Sequence, residues 1–226
     1  MTIKDCFTKT LKLPYIQVPE ETASFAYIED FENETLYIYF ECSNGATDWK
    51  NNFDFFQKPY KKMKHTWYVH RGFLKVWKVI EPMLEPHIKS KKFKKIFISG
   101  YSHGAAIAGL CHEYCVFNRP DIKDDIVTFS FESPRFVWGH MCKEIKERFD
   151  NLYVFRNGRD LVTHVPPVLF GFKHVGNLIK IGSKKYGIIQ AHTPNIVSEA
   201  LDCEIGSIEI QNAKTFFKEG LCQKKK

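Results

Sequence analysis

The sequence predicts an α/β fold, with a largely parallel central sheet and helices on both faces. Three observations carry that prediction. Short apolar segments suited to buried strands alternate with helix-length segments through the middle of the chain. One of them, residues 95–99, leads into Gly100-Tyr101-Ser102-His103-Gly104 and then into an apolar, alanine-rich run, the pattern of a strand, a sharp turn and a helix. The 226 residues are 44% hydrophobic and include 20 Phe, enough to bury one sizeable core. Residues 1–226 therefore read as one domain, with 223–226 a frayed basic tail.

Taken in order, residues 26–29 and 35–41 alternate or run apolar and predict early strands, and 67–69 predict another. Phe73, Trp77, Ile80 and Leu84 recur at helical spacing. Pro82 and Pro86 each remove a backbone donor, so this helix is expected to kink or restart near Glu81. After the strand at 95–99, a helix from 103 to about 117 ends at Asn118 and Pro120. Its Ala105, Ala106, Ala108 and Gly109 allow close approach to the sheet. Residues 126–131 form the next strand, bounded by Ser133-Pro134. Cys142, Ile145 and Phe149 mark a helix face. Residues 152–155 and 175–181 are the last strands, followed by a helix at 195–201.

The net charge is +7, with lysine clusters at 61–62, 91–95, 184–185 and 224–226. A solvated surface accounts for each cluster alone; together they suit anionic lipid headgroups. No nucleic-acid-binding motif accompanies the charge. No apolar run reaches bilayer-spanning length, and Met1-Thr-Ile-Lys-Asp-Cys6 has no signal-peptide core. The expected location is cytoplasmic or peripheral to a membrane. Seven cysteines without regular spacing suit reduced thiols.

In a Gly-x-Ser-x-Gly elbow the serine sits at the apex of a strained turn, so Ser102 is a candidate nucleophile for acyl transfer. A serine hydroxyl needs a histidine base, and the histidine needs an acid to fix its tautomer. In chains whose nucleophile sits on such a strand-to-helix elbow these follow in the order serine, acid, histidine, and on open parallel sheets active sites lie beyond the carboxyl ends of strands. Asp160 satisfies both conditions, since it follows the 152–155 strand; its position also fits a turn-capping aspartate beside glycine. Glu132, at the end of the 126–131 strand, is the second candidate acid. His164, His174 and His192 follow Asp160. His164 is too near in sequence to bridge acid and serine, and His174 precedes a strand. His192, in a loop after Ile188-Ile189, is favoured. The His103 amide is one candidate oxyanion donor, and Ser43, just past the 35–41 strand, is the other.

These segments resemble the class 3 lipases, a fungal-lipase-like branch of the α/β-hydrolase fold, over about residues 40–192. Phe40-Glu-Cys-Ser-Asn-Gly-Ala-Thr-Asp-Trp49 is similar to the family segment that opens Phe-Arg-Gly-Ser/Thr and reaches Asp-Trp. Val69-His-Arg-Gly-Phe73 resembles Val-His-x-Gly-Phe, the elbow resembles Gly-His-Ser-Leu-Gly-Gly-Ala, and Thr128 to Arg135 resembles Thr-Phe-Gly-x-Pro-Arg. Asn157-Gly-Arg-Asp160 with Val165-Pro-Pro167 resembles the family's acid loop, and Phe172-Lys-His174-Val-Gly176 the segment after it. The resemblance implies Ser102 as nucleophile, Asp160 as acid, His192 as base, and Ser43 with His103 as oxyanion hole. It implies a serine carboxylic-ester hydrolase acting on acylglycerols or similar lipid esters, with neither cofactor nor metal.

The same machinery would serve a phospholipase A or a short-chain esterase, and the fold alone would serve a non-catalytic lipid- or protein-binding relative. Three departures stand out: Glu41-Cys42 replace Arg-Gly, Tyr101 and His103 replace His and Leu, and Glu132 stands where glycine is usual. Residues 48–64 occupy the lid region of relatives. Trp49, Phe53, Phe55, Phe56 and Tyr101 are the residues expected to touch substrate or lipid, with ordinary core packing the competing reading for the lid aromatics. Cys111-His-Glu-Tyr-Cys115 lacks the further ligands zinc needs and reads as helix packing.

Overall fold

The computed structural model describes residues 1–18, 23–42, 56–62, 65–182 and 185–210. Seven strands form the main sheet: β1 (Ile16–Val18), β2 (Ala23–Asp30), β3 (Thr35–Phe40), β6 (Lys95–Tyr101), β7 (Ile126–Phe131), β9 (Leu152–Asn157) and β11 (Asn177–Ile181), in that spatial order. Strands β3, β6, β7, β9 and β11 are mutually parallel. Antiparallel β2 and β1 extend the β3 edge. A smaller antiparallel sheet holds β4 (Gln57–Lys62), β5 (His65–His70), β8 (Val137–Trp138) and β10 (Phe172–Lys173).

Alternation along the strands divides the apolar side chains between two cores. Leu36, Ile38, Ile96, Ile98, Leu152 and Val154 face one side. There they meet α2 (Arg71–Lys89), α3 (His103–Asn118) and the small sheet. Tyr39, Phe97, Phe129, Phe131, Tyr153 and Phe155 face the other, under α1 (Ile3–Lys12) and α5 (Pro194–Glu204). The short α4 (Lys143–Glu147) buries Ile145 in the first core. Helix α3 is buried on every side from His103 through Val116, which explains its lack of a polar stripe.

The expected break near Glu81 does not occur, because α2 is one helix from Arg71 to Lys89. Pro82 and Pro86 lie on its exposed face, opposite Phe73, Trp77, Ile80, Leu84 and Ile88. The carbonyls deprived of a donor therefore face water, and the buried stripe keeps the helix in place. The N-terminal helix α1 has no counterpart in the sequence reading. Thr2 and Asp5 cap it reciprocally, and Ile3, Cys6 and Phe7 are buried. Among the described residues, no helix is long and apolar enough to cross a membrane.

Candidate active site

The parallel strands end along one edge of the sheet, and the side chains singled out in the sequence gather there. Strand β6 runs into Ser102, whose backbone adopts φ +56°, ψ −122°. The Ser102 N–H bonds the carbonyl of Phe131, the last residue of β7, at 2.9 Å. The two elbow glycines have steric reasons. A Cβ on Gly100 would lie 2.3 Å from the Gly104 carbonyl oxygen, and one on Gly104 would lie 2.3 Å from that of Glu41. The turn is thus wedged between the end of β3 and the start of α3.

Asp160 follows β9 and is fully buried. Its Oδ1 accepts the Val162 N–H at 2.9 Å and its Oδ2 lies 2.7 Å from His192 Nδ1. His192 Nε2 lies 2.8 Å from Ser102 Oγ. Hydroxyl, imidazole and carboxylate therefore form one continuous hydrogen-bonded line. Nδ1–H donates to the acid, which leaves Nε2 to accept the serine proton. Ser102 is 6% exposed, while the His192 side chain keeps 19% exposure, so the line opens to solvent at the imidazole.

The competing histidines are held elsewhere. His164 Nδ1 bonds the Asp160 carbonyl at 2.7 Å, and its Nε2 contacts Arg156. His174 Nε2 bonds the Thr163 carbonyl at 2.8 Å, and burial lowers its pKa to about 4. His112 is fully buried between Thr128 Oγ1 and the Arg148 carbonyl, each at 2.8 Å, and burial likewise lowers its pKa to about 4.

Tyr101, expected to contact lipid, is 2% exposed and turned toward the second core. Its ring stacks on His192 at 5.2 Å between centroids, and its hydroxyl bonds the His192 carbonyl. Phe7 of α1 packs edge-on against the same ring at 5.4 Å. His103 opens α3, and its side chain packs edge-on against Phe73. Phe56 is 64% exposed with the Arg71 guanidinium 4.7 Å above its ring. Ser43, Trp49, Phe53 and Phe55 lie outside the described residues.

Glu132, the second candidate acid, is in the site but not in the line. It is fully buried with φ +53°, and both carboxyl oxygens accept the Asn157 N–H, at 2.8 and 3.0 Å. Burial, together with the hydrogen bond and charge of the adjacent Asp160 carboxylate, holds its pKa well above the ordinary range. Sequence reasoning also passed over an exposed apolar rim. Leu161, Val168, Leu169, Phe170, Ile188 and Ile189 flank the acid and the histidine in sequence, with Leu169 at 96% exposure. The Leu161 N–H bonds the Ile188 carbonyl at 3.0 Å, which joins the two loops. The available signal was apolar runs at positions with no helix or strand period. Against the acid loop lies an open cavity of about 710 Å³ lined by Arg156, Arg159, His164 and Lys180 among others.

Comparison with known proteins gives this arrangement a family. The chain is 25% identical over 162 residues to the secreted mono- and diacylglycerol lipase 1 of Fusarium solani, covering 70% of this chain and 47% of that protein. It is 26% identical over 176 residues to a lipase of Rhizomucor miehei, covering 75% and 47%. The chain thus spans about half the length of the curated relatives it matches. The solved Rhizomucor miehei triacylglyceride lipase superposes with a TM-score of 0.66 at 22% identity, covering 77% of this chain and 68% of the other, and the fold is of the α/β-hydrolase type. The family model for lipase (class 3) matches residues 37–170, a span that contains Ser102 and Asp160 and stops short of His192. With the model covering more than half of its residues, the chain belongs to the class 3 lipase family.

Proposed function

We propose that this protein is a serine carboxylic-ester hydrolase acting on acylglycerols or similar lipid esters through an acyl-enzyme. The observation that carries the reading is the unbroken line Ser102–His192–Asp160. Ser102 Oγ attacks the ester carbonyl as its proton passes across 2.8 Å to His192 Nε2. Asp160 holds the Nδ1–H and stabilises the imidazolium. The His103 amide, with Ser43, receives the developing oxyanion. Collapse of the tetrahedral adduct breaks the bond to the alkoxide, which leaves with the proton from Nε2. Water then gives a proton to the same nitrogen and attacks the acyl-serine. The second collapse returns the proton to Ser102 and releases the carboxylic acid.

Lipid esters are the substrate class favoured by the surroundings. The exposed apolar side chains that flank Asp160 and His192 in the chain suit acyl chains, and the names of the two curated relatives point the same way. Arg159 and Lys180 beside Leu161 and Ile188 suit an anionic lipid surface, at which the protein would act peripherally. The test is Ser102→Ala, which should abolish hydrolysis of a p-nitrophenyl acyl ester and labelling by a fluorophosphonate while leaving the circular dichroism spectrum intact. Retained turnover in a clean preparation refutes the nucleophile. Product analysis on a panel of acylglycerols, phospholipids and short soluble esters assigns the substrate; exclusive cleavage of short soluble esters refutes the lipid-ester reading.

A further inference from the structure

We propose that Glu132 is a positioning residue, a neutral buried acid whose O–H donates to Asp160 and holds the acid end of the Ser102–His192–Asp160 line. The inference rests on the hydrolase reading for its kinetic consequence, though not for the hydrogen bond itself.

The geometry leaves the Glu132 carboxyl one role. It is fully buried at the end of β7, and its backbone occupies the left-handed region that favours glycine. A side chain persists there although it brings strain and a second carboxyl beside a buried aspartate. Glu132 N–H donates to the Phe155 carbonyl at 2.8 Å, and the Asn157 N–H donates to both carboxyl oxygens. Strand β9 thus fixes the backbone and the side chain together. One carboxyl oxygen of Glu132, one of Asp160 and one ring nitrogen of His192 all lie within 4.8 Å of one another.

Two buried carboxyls this close do not both ionise, and one proton settles between them. Burial and Asp160 raise the affinity of Glu132 for it; the Asn157 N–H and the Arg156 charge only partly oppose them. The other groups facing the pair are His192, held by Asp160 on one side, and the Tyr101 hydroxyl at the end of β6. With the proton on Glu132, its O–H is a donor and Asp160 is the acceptor. Asp160 then receives three hydrogen bonds, from the Val162 N–H, from His192 and from Glu132. Donation from Glu132 draws charge from the carboxylate and so weakens the acceptor that faces the His192 Nδ1–H.

The experiment compares the wild type with Glu132→Gln, whose amide still donates to Asp160 and accepts from Asn157, and with Glu132→Ala, which does neither. Infrared difference spectra at neutral pH should show a protonated-carboxyl band in the wild type that Glu132→Gln lacks. The acid limb of the pH profile for fluorophosphonate labelling should move up by about one pH unit in Glu132→Ala, and Glu132→Gln should keep the wild-type limb. Ester turnover should fall about 10-fold in Glu132→Ala with KM little changed. A missing band, an unshifted limb in Glu132→Ala, or equal shifts in both variants overturns the proposal. If Glu132→Ala does not fold, the infrared band and the Glu132→Gln limb decide. If the wild type does not react with the fluorophosphonate, the hydrolase reading falls instead, and the band still decides the state of Glu132.

Discussion

Replacing Asp160 by asparagine tests whether the hydrogen-bonded line works as a proton path. The aspartate uses both oxygens as acceptors, Oδ1 for the Val162 N–H at 2.9 Å and Oδ2 for His192 at 2.7 Å. An asparagine amide has one oxygen and one NH₂. The Val162 N–H is a donor, so it holds the amide oxygen. The NH₂ then faces His192 Nδ1, which must turn acceptor. The ring proton moves to Nε2, the nitrogen 2.8 Å from Ser102 Oγ, and nothing remains to take the serine proton. A wrong tautomer of this kind lowers kcat about 10⁴-fold, or roughly 5 kcal/mol of barrier. The assay is the steady-state rate on a p-nitrophenyl ester together with the rate of fluorophosphonate labelling, both of which should fall in parallel. The thermal midpoint should change little, because the replacement is isosteric. A loss of less than about 10-fold would show that the line does not set the tautomer.

Three further outcomes are expected. Tyr101→Phe keeps the ring stacked on His192 and deletes the bond to its carbonyl, so kcat should drop about 5-fold at constant KM in the same ester assay; an unchanged kcat would remove Tyr101 from the support of His192. His112 stays neutral in the folded protein down to about pH 4, whereas the unfolded chain takes up a proton below 6.5. Stability present above pH 6.5 is therefore lost as the pH falls toward 4, by about 3 kcal/mol from this residue. Urea titrations across that window should show the loss in the wild type and a smaller one in His112→Gln, and parallel curves would contradict it. Leu169→Asp combined with Ile189→Asp should weaken sedimentation with anionic phospholipid vesicles about 10-fold or more while sparing hydrolysis of a soluble ester; equal losses in both would mean that the rim serves catalysis directly.

The legible parts of this protein were those with local signals. Residues 126–131, bounded by Ser133-Pro134, form β7 with the expected bounds, and the elbow places Ser102 by its own pentapeptide. Asp160 and His192 were reachable because chain order and strand ends restrict the choice, and family resemblance sharpened it. Elements that depend on distant partners were not visible. Strands β8 and β10 have two residues each and exist only through pairing with β5 and with each other. Pro82 and Pro86 argue for a break until the buried face of α2 is known. Tyr101 reads as a substrate- or lipid-contacting residue because its partner is 91 positions away. Glu132 was weighed as a rival to Asp160, whereas the chain places the two side by side.

The parallel run of β3 and β6 also determines which end of the molecule can be handled. Their first residues meet at the Phe31-Glu-Asn-Glu34 turn, where the Glu34 carbonyl accepts the Lys94 and Lys95 N–H groups. The serine stands at the far end, about 20 Å away along the strands. A bead or electrode attached through a short insertion at Asn33, which is exposed, would hold the protein with its mouth pointing outward. In that orientation the imidazole would face the bulk medium rather than the support.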